Sequence, residues 1–129
     1  VTPGTRFPRA ARLLLPREFD AVFEGGRRER GRFFVGVHKA GPGPGARLGL
    51  AVGKKFLPAA HDRNLVKRLA REAFRARRLR LPAVDIVLSP TRDVAQGDRT
   101  SLRADLDRVL DRIAAGASVP APTGQNPSP

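Results

Sequence analysis

An α/β fold is what the sequence predicts, and three observations carry that reading. The chain has 129 residues, the length of one domain. Hydrophobic residues make up 40% of it, enough for a single modest core. Helical and strand-like apolar patterns alternate in the order helix, strand, strand, helix, strand, helix, with no internal repeat.

The elements follow in order. Residues 1–11 carry Pro3, Gly4 and Pro8 and read as a flexible basic arm. Pro16–Glu24 is a short helix. Pro16 suits a first turn, Phe19, Val22 and Phe23 share one face, and Gly25-Gly26 stops it. RRERGR at 27–32 is a polar connector. Phe33–His38 has the aromatic and Val content of a strand. Ala40–Ala46, AGPGPGA, is a hairpin loop or a flexible excursion. Arg47–Gly53 alternates Leu48, Leu50 and Val52 against smaller residues and is a second strand. Asp62 is the expected N-cap of a long helix, Arg63–Arg80, which Pro82 ends. Val84–Leu88 is a third strand. Thr100 or Ser101 caps a last helix that carries Leu102, Leu106, Val109, Leu110 and Ile113 on one face and ends at Gly116. The Pro-rich tail 117–129 has too little apolar content to fold. The domain is therefore 12–116. Its strand–helix–strand unit around Arg63–Arg80 follows a right-handed crossover by default.

Charge narrows the function. Lys and Arg total 25 against 12 Asp and Glu, a formal net charge of +13, and the natural partner is a polyanion. There is no Cys, which excludes a disulfide scaffold, a thiolate metal centre and a cysteine nucleophile. Two His are too few for an imidazole-rich metal centre. No apolar run approaches the roughly 20 residues of a membrane helix. The N-terminal stretch, with only a three-Leu apolar core, is no secretory signal. The expectation is a small, soluble, cytoplasmic cationic domain with no membrane partner.

The long helix concentrates the charge. At about 100° per residue, Asn64, Lys67, Arg68, Arg71, Arg75 and Arg78 fall in one arc, and Leu65, Val66, Leu69, Ala70, Ala73 and Ala76 in the opposite one. Phe74 lies on the boundary, and Arg77 and Arg80 interrupt the apolar arc. Glu72 is the only acid inside the helix, so a solvated face laced by i,i+4 salt bridges fits poorly. Arg63/Lys67, Lys67/Arg71 and Arg71/Arg75 repel at i,i+4. Nucleic acid relieves that repulsion and predicts steep salt dependence. His38 and His61 have no carboxylate at catalytic spacing and read as surface residues. Asp105, Asp107 and Asp111, interleaved with Arg103, Arg108 and Arg112, read as a solvated face and not as a metal site.

The segment Arg47–Arg78, RLGLAVGKKFLPAAHDRNLVKRLAREAFRARR, resembles the protein subunit of bacterial ribonuclease P. The matching residues are Lys54, Lys55, Arg63, Asn64, Lys67, Arg68, Arg71, Glu72, Ala73 and Phe74. Arg12-Leu13 followed by EFDAVFEGG and the later VDIVLSP also match, so the resemblance runs in order over most of residues 12–113. The departures are Leu65 in place of the Arg that usually follows the motif's Asn, Val37 in place of a strand aromatic, Ala51 in place of a small hydroxyl residue, and a loop 56–62 one residue longer than common.

The resemblance implies a small two-layer α/β sandwich, ribosomal protein S5 domain 2-like, with an unusual left-handed crossover at the basic helix. It implies a holoenzyme in which a catalytic RNA with bound Mg2+ removes the 5′ leader of precursor tRNA, one protein serves each RNA, and the protein alone binds no cofactor and contributes no catalytic residue. Arg63, Asn64, Lys67, Arg68, Arg71 and Arg75 are then the RNA-binding residues. Phe19, Phe23, Lys54, Lys55 and Arg12 line the leader cleft. From spacing alone Phe19 and Phe23 read as core, and Asn64 also suits a helix cap. The alternative is a non-catalytic RNA-binding structural protein, such as a small ribosomal protein of the same size and charge.

Overall fold

The computed structural model describes residues 9–118. A single 3-10 turn, Arg9–Ala11, leads into α1 (Pro16–Gly25), β1 (Arg27–Arg30), β2 (Phe34–Ala40), β3 (Arg47–Leu50), α2 (Ala60–Arg77), β4 (Val84–Pro90), a second 3-10 turn (Val94–Gln96) and α3 (Arg99–Ser118). The four strands form one sheet in the order β1-β2-β4-β3. β2 pairs antiparallel with β1 and β4, whereas β3 pairs parallel with β4. Parallel neighbours need a crossover, and α2 supplies it.

Alternation along the strands divides the core. Phe34, Leu48, Ile86 and Leu88 point to one face, where α2 and α3 lie side by side and contribute Val66, Leu69, Phe74, Leu106 and Ile113. This sheet-and-helix pair is the two-layer body. Val35, Val37 and Val87 point to the other face, where Leu13 and Val22 cover them. There α1 crosses the strands. It starts over β3, where Gly49 leaves room for the Phe19 ring: a Cβ at Gly49 would stand 2.7 Å from it. It ends over β2, where Lys39 Nζ donates to the Ala21 carbonyl.

Ion pairs tie α1 down. Arg47 of β3 donates to both oxygens of the buried Asp85 on β4, at 2.8 and 2.7 Å, and to Glu18 of α1 at 3.1 Å. Asp85 raises the Arg47 pKa further above its ordinary value. Glu18 accepts from the Leu15 and Leu14 amides, and these bonds, aided by Arg47, hold its pKa below the usual carboxylate value. Glu18 thus satisfies two amides at the start of α1, where Leu15 offers no capping side chain.

The structure corrects the sequence pattern at several points. Arg27–Arg30 is a strand, not a connector; its ladder to β2 forms although RRER has no apolar alternation. Arg9–Ala11 form a turn with Ala11 buried, so these three residues do not belong to a free arm; residues 1–8 lie outside the described residues. The long helix starts at Ala60, three residues before Arg63, and ends at Arg77. Asp62 therefore sits in its first turn, where a carboxylate complements the helix dipole, instead of capping it. The last helix is capped by Asp98. Its Oδ1 accepts from the Ser101 amide at 2.8 Å while the Ser101 hydroxyl accepts from the Asp98 amide at 3.0 Å. That helix passes Gly116 to Ser118, and 119–129 lie outside the described residues.

Two ionisable positions expected at the surface are buried. His38 is 4% exposed because β1, unforeseen, covers the flank of β2. Asp105 is 1% exposed. Its carboxylate accepts from the amides of Arg32, Phe33 and Phe34 at 2.9–3.0 Å and from the Arg108 guanidinium at 3.1 Å. It thereby anchors the β1–β2 turn onto α3.

Candidate nucleic-acid interface

The basic face of α2 sorts into engaged and free cations. Arg63 is half-buried, and its Nη1 donates to the Leu57 and Pro58 carbonyls at 2.9 and 2.8 Å. It fastens the loop that precedes the helix. Arg77, which interrupts the apolar arc, reaches Asp107 at 2.8 Å and Asp111 at 2.7 Å on α3. That pairing lowers the Asp111 pKa. Glu72 is met by Arg103 at 3.4 Å and only loosely by Arg68 at 3.9 Å. Thus Asp107 and Asp111 join α2 to α3 and are not a simple solvated face.

Asn64, Arg68 and Arg71 remain exposed, and Lys67 and Arg75 half-exposed. Among the described residues no carboxylate pairs with Lys67, Arg71 or Arg75. Behind them Val66, Leu69, Ala70, Ala73 and Phe74 are buried and Leu65 is half-buried. The sequence-predicted division of the helix holds up to its last turn, where Ala76 is exposed.

The second group of predicted residues meets the first at the β3 edge. The chain at Arg12 pairs with Leu48, and the Leu13 amide donates to the Leu48 carbonyl at 2.9 Å. A groove of about 420 Å³ opens beside this edge, lined by Arg12, Leu14, Phe19, Leu50, Lys67 and Arg71 among others. Lys67 and Arg71 on one wall and Phe19 and Arg12 on the other were separate candidates in the sequence; the fold brings them to one groove.

Lys54 and Lys55 are exposed in the turn after β3, and Lys55 Nζ stands 5.4 Å from the Phe56 ring centre. They do not line this groove. Phe19 is half-buried against Gly49 and Phe23 is exposed, so neither is a plain core residue. Val37 is buried beneath α1 beside Gly26, and Ala51 is half-buried. At neither position does a side chain reach into the cleft to stack or hydrogen-bond. Among the described residues no cluster of three His, Cys, Asp or Glu is placed to hold a metal ion, and no helix is long and apolar enough to cross a membrane.

Fold and surface together define a small basic α/β protein with an unpaired cationic face suited to nucleic acid. The family model for ribonuclease P matches residues 7–114, and the chain belongs to the ribonuclease P protein family. It is 42% identical to the ribonuclease P protein component of Bordetella parapertussis, over 87% of this chain and 98% of that one. Among solved structures it is similar to the Staphylococcus aureus RNase P protein, with a TM-score of 0.75 and 26% identity over 81% of this chain and 95% of that one. It is similar also to the Thermotoga maritima protein, with a TM-score of 0.68 and 33% identity over 79% and 96%. The protein is the RNA-binding subunit of the tRNA 5′-processing enzyme. The ribosomal-protein alternative is set aside.

Proposed function

We propose that the free face of α2 holds the catalytic RNA and that the cleft between α1 and the sheet guides the leader of precursor tRNA. Asn64, Lys67, Arg68, Arg71 and Arg75 supply the RNA contacts, with Arg63 fixing where the helix begins. Arg and Lys neutralise phosphate, and Asn64 donates to phosphate, a 2′-hydroxyl or a base edge. Phe19 and Phe23 offer aromatic faces to unpaired bases, a contact that tolerates variable sequence. Arg12, Lys54 and Lys55 meet the leader phosphates. The observation that carries this reading is the shared groove at the β3 edge, which joins Lys67 and Arg71 to Phe19 and Arg12.

This chain's residues bind and orient. Mg2+ is assigned to the RNA subunit, where it would supply the activated water for hydrolysis. One protein acts per RNA, in the cytoplasm.

The test is cleavage of a precursor tRNA by a bacterial ribonuclease P RNA at low magnesium, with and without this protein. The expected result is a protein-dependent rise in correct cleavage, lost on Arg68→Ala with Arg71→Ala. A folded protein that binds RNA without raising cleavage overturns the reading. The mass of the assembled complex checks the one-to-one ratio, and cell fractionation checks the compartment.

A further inference from the structure

The sheet face beneath α1 has two edges, and the leader reading uses only the β3 side. The other edge is β1, with the sequence RRER. Its register with β2 places Arg30 opposite Val35 and Arg28 opposite Val37. Val35 and Val37 belong to the α1 side of the sheet. Cross-strand partners share a face, so Arg28 and Arg30 stand on that side too. Glu29 and Arg27 fall on the α3 side, where Glu29 lies 3.9 Å from His38. Arg28 and Arg30 are exposed, and no carboxylate pairs with either among the described residues.

The direction of α1 makes this edge relevant. The helix begins over β3 at Phe19 and ends over β2 at Gly25, where a Cβ would meet Lys39. Its Glu18 and Ala21 flank faces the row of Lys39, Asp85 and Arg47. Val22 points down to the sheet. At about 100° per residue the Phe19 and Phe23 flank therefore faces the other end of the strands, over the row Ala51, Ser89, Val35 and Arg30. A strand of RNA that follows this flank from the β3 groove crosses the sheet and arrives at β1. The crossing is about 14 Å for three strand spacings.

We propose that Arg28 and Arg30 are the far rail of the leader path, binding leader phosphates distal to the cleavage site after they pass Phe23. This rests on the leader-cleft reading and extends it. Charges on an edge strand also block unwanted strand pairing, but a guard works on either face. Both arginines stand on the α1 side without a carboxylate partner among the described residues, and Arg30 closes the row that the Phe19 and Phe23 flank faces, a placement that fits a polyanion.

The experiment uses the holoenzyme assembled from the full chain and ribonuclease P RNA. Affinity is measured for precursor tRNA with a leader of about ten nucleotides, within the span of single-strand sites, and with one of roughly two. Arg28→Gln with Arg30→Gln is expected to weaken the long-leader substrate several-fold, to leave the short-leader substrate unchanged, and to lower the salt slope for the long leader by about 1.4. Photo-crosslinking from a distal leader base in the unmutated protein is expected to label β1, a readout independent of variant folding. No change at either length, or an equal loss at both, overturns the proposal: the first leaves an edge guard, the second a contact to the catalytic RNA. A distal crosslink outside β1 also overturns it. An unmutated protein that confers no leader-dependent affinity overturns the cleft reading itself, and this extension with it.

Discussion

α2 and α3 lie side by side on one face of the sheet, and both are rich in arginine, yet their charges are spent differently. On α3, Arg103 meets Asp107 and Glu72, Arg108 meets Asp105, and Arg112 donates to the Arg30 carbonyl. Every one of these cations is engaged within the protein. On α2 only Arg63 and Arg77 are firmly engaged, at the two ends of the helix, and Lys67, Arg71 and Arg75 between them have no carboxylate among the described residues. Cationic density alone does not mark an RNA surface. The marker is charge left unpaired by the fold, because only such charge gains from a polyanion without first breaking an internal contact.

Substitutions test this contrast. The largest effect is expected on the paired side. Asp105→Ala strands three backbone donors at the β1–β2 turn and is expected to cost about 3 kcal/mol or more of stability, seen as a lower chemical-denaturation midpoint. A midpoint unchanged by this substitution would show that the turn does not depend on α3. On the unpaired side, Lys67→Ala with Arg71→Ala is expected to leave stability within about 0.5 kcal/mol, since it also relieves an i,i+4 repulsion. The same variant is expected to bind ribonuclease P RNA more weakly, with a salt slope lower by about 1.5. Loss of stability with an unchanged slope would erase the contrast.

Arg77→Ala sits between the two. It removes the link to Asp107 and Asp111 and is expected to cost about 1 kcal/mol, because both acids are partly exposed and screened. Its RNA affinity is expected to hold, which separates it from the Lys67 and Arg71 variants that share its helix.

The smallest effect concerns pH. His38 is buried, with its pKa lowered from 6.5 by burial and by Arg27, against the opposing pull of Glu29. The unfolded chain therefore takes up this proton more readily than the folded one. The contribution is full above about pH 6.5 and is lost as pH falls below it. His38→Gln is expected to flatten the stability profile between about pH 7 and 5.5 relative to the unmutated protein. An identical slope in both would exclude His38 as its source.

Much of this was legible before any fold was known. The split of α2 into charged and apolar arcs follows from helical spacing, which is a local property, and the strand segments Phe33–His38 and Val84–Leu88 are marked by their own apolar content. The leader-cleft residues were named by their resemblance to a family, whereas spacing alone reads Phe19 and Phe23 as core. What escaped depended on distant partners. β1 has no apolar pattern of its own and becomes a strand because β2 lies beside it. Asp105 looks like one more acid on a charged helix, and its three backbone partners are more than 70 residues away in sequence. The roles of Arg63 and Arg77 were hidden for the same reason: a guanidinium that fastens a loop and one that awaits phosphate have the same letter.

The amino-acid sequence by itself determined the fold class, the basic helix and the excess of cations that makes a polyanion the partner, because periodicity and net charge are carried by neighbours along the chain. The tertiary structure decided which cations stay free, that Lys67 and Arg71 share a groove with Phe19 and Arg12, and that Arg28 and Arg30 stand on the α1 side of the sheet. Those outcomes rest on strand register and helix docking, and both are set by contacts between residues far apart in the chain.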